Sequence, residues 1–327
     1  MKVFITSAYP YHEIDNFAVV WLKESQHQDT FKEHKIVDDP ENADLILFAE
    51  HHPGNDPYFF KVLKHPLVKK YRHRVVLYTD TDSPLPILPT LSPSIEKSYL
   101  NPAFCLPAPY IARHCENESV TFSNAKSNRK YLFSFLGASR THPIRKKILK
   151  LAYSDCYLED TSEKNSWELT LDEKKIFESK YANISKDSYF ILCPRGIGVN
   201  SYRLYETMQM GLVPVIISDE WIPMHGPNWK EFSIQIMEKD IQKIPEILFK
   251  RKGDAINMGL MARENWERWF SKEVSFHHIT NLAKSLLIAK SNNISNNFYF
   301  SFTQFLRPFH FRNFLRYIKN DLLNKIK

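Results

Sequence analysis

The densest set of residues able to do chemistry lies in residues 188–221, SYFILCPRGIGVNSYRLYETMQMGLVPVIISDEW. An apolar run, 188–193, ends at Pro194-Arg195-Gly196, and after Gly198 a helical stretch, 202–210, begins behind Asn200 and Ser201, both residue types that cap helix starts. A helix start exposes unpaired N–H groups and the positive end of the helix dipole, which together attract phosphate. Arg203, in the first turn, adds a planar fork of donors matched to phosphate oxygens. Glu206, three residues on, shares that face one turn deeper, where a carboxylate can accept both hydroxyls of a ribose. Arg195, Gly196, Ser201, Arg203 and Glu206 therefore suit a nucleotide-diphosphate ligand. A plainer reading stays open: an exposed Arg–Glu pair worth well under about 1 kcal/mol behind an ordinary cap, and spacing alone favours it. Neither GxGxxG nor GxxxxGK[ST] occurs, so neither a dinucleotide fingerprint nor a P-loop is supported.

A second group of reactive residues closes the apolar runs of the first half. Residues 3–7, 43–48 and 74–79 read as strands alternating with the helical stretches 17–23 and 58–71, a pattern of parallel pairing. Ligands of open parallel sheets gather beyond the strands' carboxyl ends, which here carry residues 9–15, Glu50-His51-His52 and Asp80-Thr81-Asp82. A base for an acceptor hydroxyl is expected there, among Asp80, Asp82, Glu50, His12 and Asp15 in the order Asp82, Glu50, Asp15, each of which also reads as a solvated or turn-capping residue. His51 and His52 are neighbours projecting differently, with no further ligand spacing, and read as ordinary.

Stepping along the chain, prolines 84, 86, 89, 93, 102, 107 and 109 mark connecting or edge structure. Polar residues 116–129 hold the expected boundary. Alternation restarts with a strand, 131–136, ending at Gly137, a basic helix, 143–153, strands 188–193 and 213–218 around the helix that Gly211 stops, and helices 241–250, 255–270 and 276–290. The organisation is α/β: a Rossmann-like parallel-sheet domain (1–125), a second (126–290) and a tail (291–327). Tyr202, Tyr205, Trp266 and Trp269 sit at core spacing, whereas Trp221 begins a loop and reads equally as a stacking platform or as core.

The 327 residues, 43% hydrophobic and 25% charged, exclude disorder as the main reading. Four scattered cysteines (105, 115, 156, 193) form neither a CxxC pair nor a disulfide framework, and the start of the chain does not fit a signal peptide. The expectation is a cytoplasmic chain, soluble or peripheral on a membrane. Net charge is +7, and the tail holds much of it: Arg307, Arg312, Arg316, Lys319, Lys325 and Lys327 against Asp321. Phe311, Leu315, Ile318 and Leu322 align there on one helical stripe, an amphipathic basic helix that either meets an anionic membrane or packs on the first domain. No nucleic-acid module accompanies the charge.

The order P-x-G, S-x-R-x-x-E, G-x-x-P-V-I-I-S-D resembles the exostosin family of glycosyltransferases. Cys193 to Gly196, Ser201 to Arg203, Glu206, Gly211, Pro214 to Asp219 and Asn228-Trp229 to Phe232-Ser233 carry it, with Phe133 to Ala138, Arg140, His142, Pro143 and Arg145 upstream. The resemblance implies a GT-B-like fold, two domains facing a cleft, and inverting transfer from a nucleotide-diphosphate sugar bound by the second domain to a glycan or lipid-linked saccharide. It also implies that Arg203 meets the diphosphate and Glu206 the ribose, that Asp219 faces the sugar, and that Gly137, Arg140 and Arg145 join the donor side. With Arg195, Arg203 and the helix start to stabilise the leaving group, no cofactor and no essential divalent ion are expected. Asp80-Thr81-Asp82 looks like the DxD metal motif of the other large glycosyltransferase fold, but it ends a first-domain strand and reads as acceptor-side. The alternative is a catalytically inactive carbohydrate-binding or glycan-assembly subunit of the same fold.

Overall fold

Short runs of Val, Ile, Leu and Phe pair in parallel as two separate sheets. The computed structural model describes residues 1–9, 16–51, 56–111, 116–123, 128–163, 169–291 and 303–326. The first unit opens with β1 (Lys2–Thr6), α1 (Phe17–Gln28), β2 (Lys35–Ile36), β3 (Leu45–Glu50), α2 (Phe60–Leu63), α3 (Pro66–Tyr71), β4 (Val75–Thr79), β5 (Thr90–Ser92) and β6 (Cys105–Pro107). The expected helix 58–71 is two helices because Pro66 holds the preceding His65 in extended backbone, φ −62° and ψ 140°. The proline-rich segment supplies β5 and β6 at one edge, in the order β2-β1-β3-β4-β5-β6.

The second unit contains β7 (Tyr131–Gly137), α4 (Pro143–Ile148), β8 (Cys156–Asp160), α5 (Leu171–Lys186), β9 (Ser188–Pro194), α6 (Tyr202–Gln209), β10 (Val213–Ile217), α7 (Trp229–Phe232), β11 (Ile234–Gln235), α8 (Ile244–Arg251) and α9 (Ala255–Trp269). Its order is β11-β10-β9-β7-β8. Numbered within each unit, both sheets run 2-1-3-4-5, with a sixth strand added in the first. Each therefore has its topological switch point between its first and third strands: β1/β3 and β7/β9. Gly211, at φ +72°, ends the turn after α6 as expected. Helix α5 escaped the sequence reading because its apolar content is low. A capping box between Thr170 and Glu173 starts it.

The chain then returns to the first unit with α10 (Lys272–Ser291) and α11 (Pro308–Ile326). This moves the expected boundary, because the units are Met1–His114 with Lys272–Lys327, and Cys115–Ser271. The reason is packing: Phe276, Ile279, Ala283 and Leu286 of α10 share a core with Val3, Leu22, Leu45 and Leu47. In β3, Leu45, Leu47 and Ala49 face that core while Ile46 and Phe48 face a second one, so the strand is buried on both sides. Tail residues Phe305 and Phe314 pack against the second core. No described helix is long and apolar enough to cross a membrane.

Candidate functional site

In the second unit the switch point is built around guanidinium groups. Arg145, from α4, is buried and donates through Nη1 to Ala138 O just past β7 (3.3 Å), through Nε to Arg195 O (2.9 Å) and through Nη2 to Pro194 O at the end of β9 (3.2 Å). It clamps the two strand ends together, which makes it a shaping group rather than the ligand contact expected of it. Gly196 leaves room for it, since a Cβ there would lie 3.1 Å from Arg145 Nη2.

Arg203 enters from α6, which Ser201 caps by accepting from Arg203 N at 3.3 Å. The guanidinium donates through Nη2 to Leu136 O at 2.5 Å and lies against the rings of Phe135 and Tyr181. Gly137 is where it is because Arg203 passes over it: a Cβ would come within 2.8 Å of Nη2 and of the Phe135 ring. Glu206, one turn deeper, is buried. Burial, and after it the charge of Glu206, pushes the Tyr181 hydroxyl well above the usual phenol range.

Three polar atoms at these strand ends are buried with no hydrogen-bond partner among the described residues: Arg195 Nε, Arg203 Nε and Ser218 Oγ, the last just past β10. Buried donors are almost always paired, so two guanidinium N–H groups without a partner among the described residues at one sheet end suit an anionic acceptor. His142 reports the local field. Burial, then the charges of Arg195 and Arg145, lowers its pKa to about 4. The site favours an anion.

Other expected members of the donor set are placed differently. Arg140 is exposed and donates to Ser162 O at 3.0 Å. Asp219 is tied down by reciprocal bonds, Glu238 N to Asp219 Oδ1 (2.9 Å) and Asp219 N to Glu238 Oε1 (3.3 Å), so one carboxylate oxygen holds a turn. Trp221 is a core residue, 5% exposed and edge-on to Trp229, not a stacking platform.

In the first unit the carboxyl ends carry acids and a histidine. Glu50, at the β1/β3 switch point, is fully buried and accepts from Ser7 Oγ (2.6 Å), Ala8 N (2.7 Å) and Asn16 Nδ2 (3.4 Å). Burial raises its pKa to about 7 against the opposing pull of those donors. It ties the segment after β1 to β3 and has no exposed surface for an acceptor, which corrects its place among the expected bases. Asp82 is exposed, and Asp15, like His12 and His52, lies outside the described residues.

The group that the sequence reading passed over is His51. Its Nδ1 donates to Asp80 Oδ2 at 2.9 Å, with 21% of the histidine side chain exposed against 2% of the aspartate's, and Phe17 meets the ring edge-on. Burial pushes His51 down, but the hydrogen bond and charge of Asp80 outweigh it and leave the ring above its ordinary value. With Nδ1 donating, the neutral ring carries its lone pair on Nε2, which has no partner among the described residues. The parallel register explains the meeting: Glu50 pairs with Thr79, so the next residues, 51 and 80, emerge side by side. Only knowledge that β3 and β4 are neighbours could have shown this.

A separate histidine cluster sits at the opposite end of the same sheet. Glu33, His34 and His277 bring possible ligand atoms within 4.8 Å of one another, but Asn281 already bonds both rings, at 3.2 Å and 2.9 Å. Asn281 thus occupies one nitrogen of each ring, while His277 Nδ1 is buried with no partner among the described residues.

The order and spacing of these residues match known proteins. The Exostosin GT47 domain matches residues 58–250. Exostosin-1 homolog of Caenorhabditis elegans is 31% identical over 137 residues, covering 38% of this chain and 36% of that protein. Exostosin-1 of Drosophila melanogaster is 28% identical over 167 residues, 46% of this chain and 22% of that protein. A probable glucuronosyltransferase of Oryza sativa subsp. japonica is 28% identical over 155 residues, 46% of this chain and 35% of that protein. The aligned region thus spans between about a fifth and about a third of these relatives' own length. Since the domain match takes in more than half of the chain, including every arginine of the second unit's switch point, the chain belongs to the exostosin GT47 family of glycosyltransferases.

Proposed function

We propose that this chain transfers a sugar, with inversion, from a nucleotide-diphosphate donor to a glycan or lipid-linked saccharide, without an essential divalent ion. The observation that carries the reading is the pair of partly exposed arginines, Arg195 and Arg203, at the β7/β9 switch point, each with an Nε that has no hydrogen-bond partner among the described residues. A diphosphate offers acceptors to these guanidinium groups, and charge-assisted bonds to it strengthen as negative charge grows on the departing nucleotide. Ser201 and the start of α6 complete the grip, and Glu206 takes the ribose hydroxyls.

Inverting transfer also needs a group to remove the acceptor hydroxyl's proton. In this reading His51 is that base. Its Nε2 takes the proton as the oxygen attacks the anomeric carbon and the bond from that carbon to the diphosphate breaks, and Asp80 stabilises the imidazolium that forms. Asp82, exposed nearby in sequence, is the second choice.

The test is to incubate purified chain with UDP-, GDP- and CMP-sugars, UDP-glucuronic acid included because of the rice relative's name, with and without EDTA, and to measure nucleotide release. Release of UDP or GDP that EDTA does not reduce is expected. Release from CMP-sugars alone, or loss of all release with EDTA, overturns the diphosphate or the metal-free part of the reading. Silence across the panel with retained binding of oligosaccharides points to the non-catalytic subunit.

A further inference from the structure

Helix α11 is held by one side and apolar on another. Tyr58 Oη donates to His310 O at 2.8 Å, Phe305 and Phe314 pack on the Tyr58 ring, and Arg307 pairs with Glu96 while lying 3.7 Å over the Tyr99 ring. These contacts use Arg307, just ahead of the helix, and positions 310 and 314 on one side of it. Phe311, Leu315 and Ile318 are 50%, 53% and 38% exposed, and their i, i+4, i+7 spacing makes them a single stripe. Each is followed by an exposed cation: Arg312, Arg316 and Lys319. The cations thus line one flank of the stripe. Leu306, just ahead of the helix, is 65% exposed.

A folded chain rarely leaves a row of large apolar side chains in water without a use for them. Charge selects the occupant. A cationic flank beside Phe, Leu and Ile on a helix lying flat against its own protein is the arrangement that seats in the boundary between headgroups and acyl chains of an anionic bilayer. We propose that α11 is a membrane-surface helix: Phe311, Leu315 and Ile318 enter the boundary region of a bilayer rich in anionic lipid, while Arg312, Arg316 and Lys319 meet lipid phosphates.

The experiment uses the full purified chain and sedimentation with vesicles of phosphatidylcholine alone or mixed with phosphatidylglycerol. Binding is expected to the mixed vesicles, weakened by salt, and not to the neutral ones. The triple variant R312Q/R316Q/K319Q should lower partitioning roughly a hundredfold, and F311S/L315S/I318S should abolish it, each keeping the parent's circular dichroism. Should a triple variant lose its fold, Leu315→Glu, a single change at an exposed position, replaces it with the same expectation of lost binding. Failure of the intact chain to sediment, equal sedimentation with neutral vesicles, or full binding by the charge variant overturns the proposal. So does concentration-dependent self-association that the serine variant removes while no vesicle binds, since the stripe would then be a contact between copies.

Discussion

The two sheets share one strand order, and at the equivalent switch point each buries one ionisable side chain, an acid in one and a guanidinium in the other. In the first unit Glu50 accepts from the hydroxyl and N–H groups just past β1. In the second, Arg145 donates to carbonyls just past β7 and at the end of β9. A carboxylate gathers donors and a guanidinium gathers carbonyls, so the same backbone junction is closed in two complementary ways. What lies beside each clasp follows its sign. Beside Arg145 stand Arg195 and Arg203, and an anion is wanted. Beside Glu50 stand Asp80 and His51, and a proton can be taken. The shared topology brings reactive residues to equivalent sheet ends, and the contrast between the guanidinium groups of one and the acid–histidine pair of the other is what the proposed transfer uses.

The sharpest way to break this contrast is to remove the proton acceptor alone. His51→Ala should lower turnover by about 10²–10⁴-fold while leaving UDP affinity, measured by calorimetry, as it was. A turnover loss below about twofold assigns the base elsewhere. In the proposed mechanism Asp80 acts through His51 as a positioning residue. Because it holds the ring's pKa above the ordinary value, and the base works unprotonated, Asp80→Asn lets burial dominate and moves the rising limb of the pH–turnover curve to lower pH. A curve that only drops without moving assigns Asp80 a structural role.

Glu50 tests the first unit's clasp by pH. Its folded pKa, about 7, stands above the ordinary glutamate value of 4.5. The protonated carboxyl therefore contributes stability that is complete below about pH 4.5 and is lost as pH rises through about 7, a change on the order of 3 kcal/mol. Thermal melts from pH 5 to 8 should fall with pH in the parent and much less in Glu50→Gln. Parallel curves for the two would show that the slope comes from another group.

The fold was legible wherever short apolar runs alternate with helical periods, which located β1, β3, β4, β7, β9 and β10 to within a residue or two. It was not legible where tertiary pairing overrides local signal. β5 and β6 are three residues each within proline-rich chain, and α10 reads as a continuation of the second domain until its Phe276 and Ile279 are seen in the first unit's core. The site divides in the same way. Arg203 and Glu206 could be read as one helix face, with Ser201 as its cap, because i, i+3 and capping geometry are local. The pairing of His51 with Asp80 depends on two strands lying side by side, and the clasping role of Arg145 on three carbonyls from two other segments, none of which spacing encodes.

The second unit's half of the contrast is sharpened by comparing two arginines. Arg203→Ala should weaken UDP binding about 10- to 100-fold, the worth of a charge-assisted pair, and should also lower the melting temperature, since Leu136 O loses its donor and Phe135 and Tyr181 lose their packing partner. Arg203→Lys keeps the charge but not the fork and should fall between. Arg140→Ala removes a side chain that is exposed and bonded only to Ser162 O among the described residues, so its effect on UDP affinity should stay below about threefold, the scale of a surface charge. The ratio of the two losses measures how far the anion site reaches. If Arg140→Ala costs as much as Arg203→Ala, the loop after β7 folds over the bound nucleotide, and the donor site extends beyond the guanidinium cluster at the switch point.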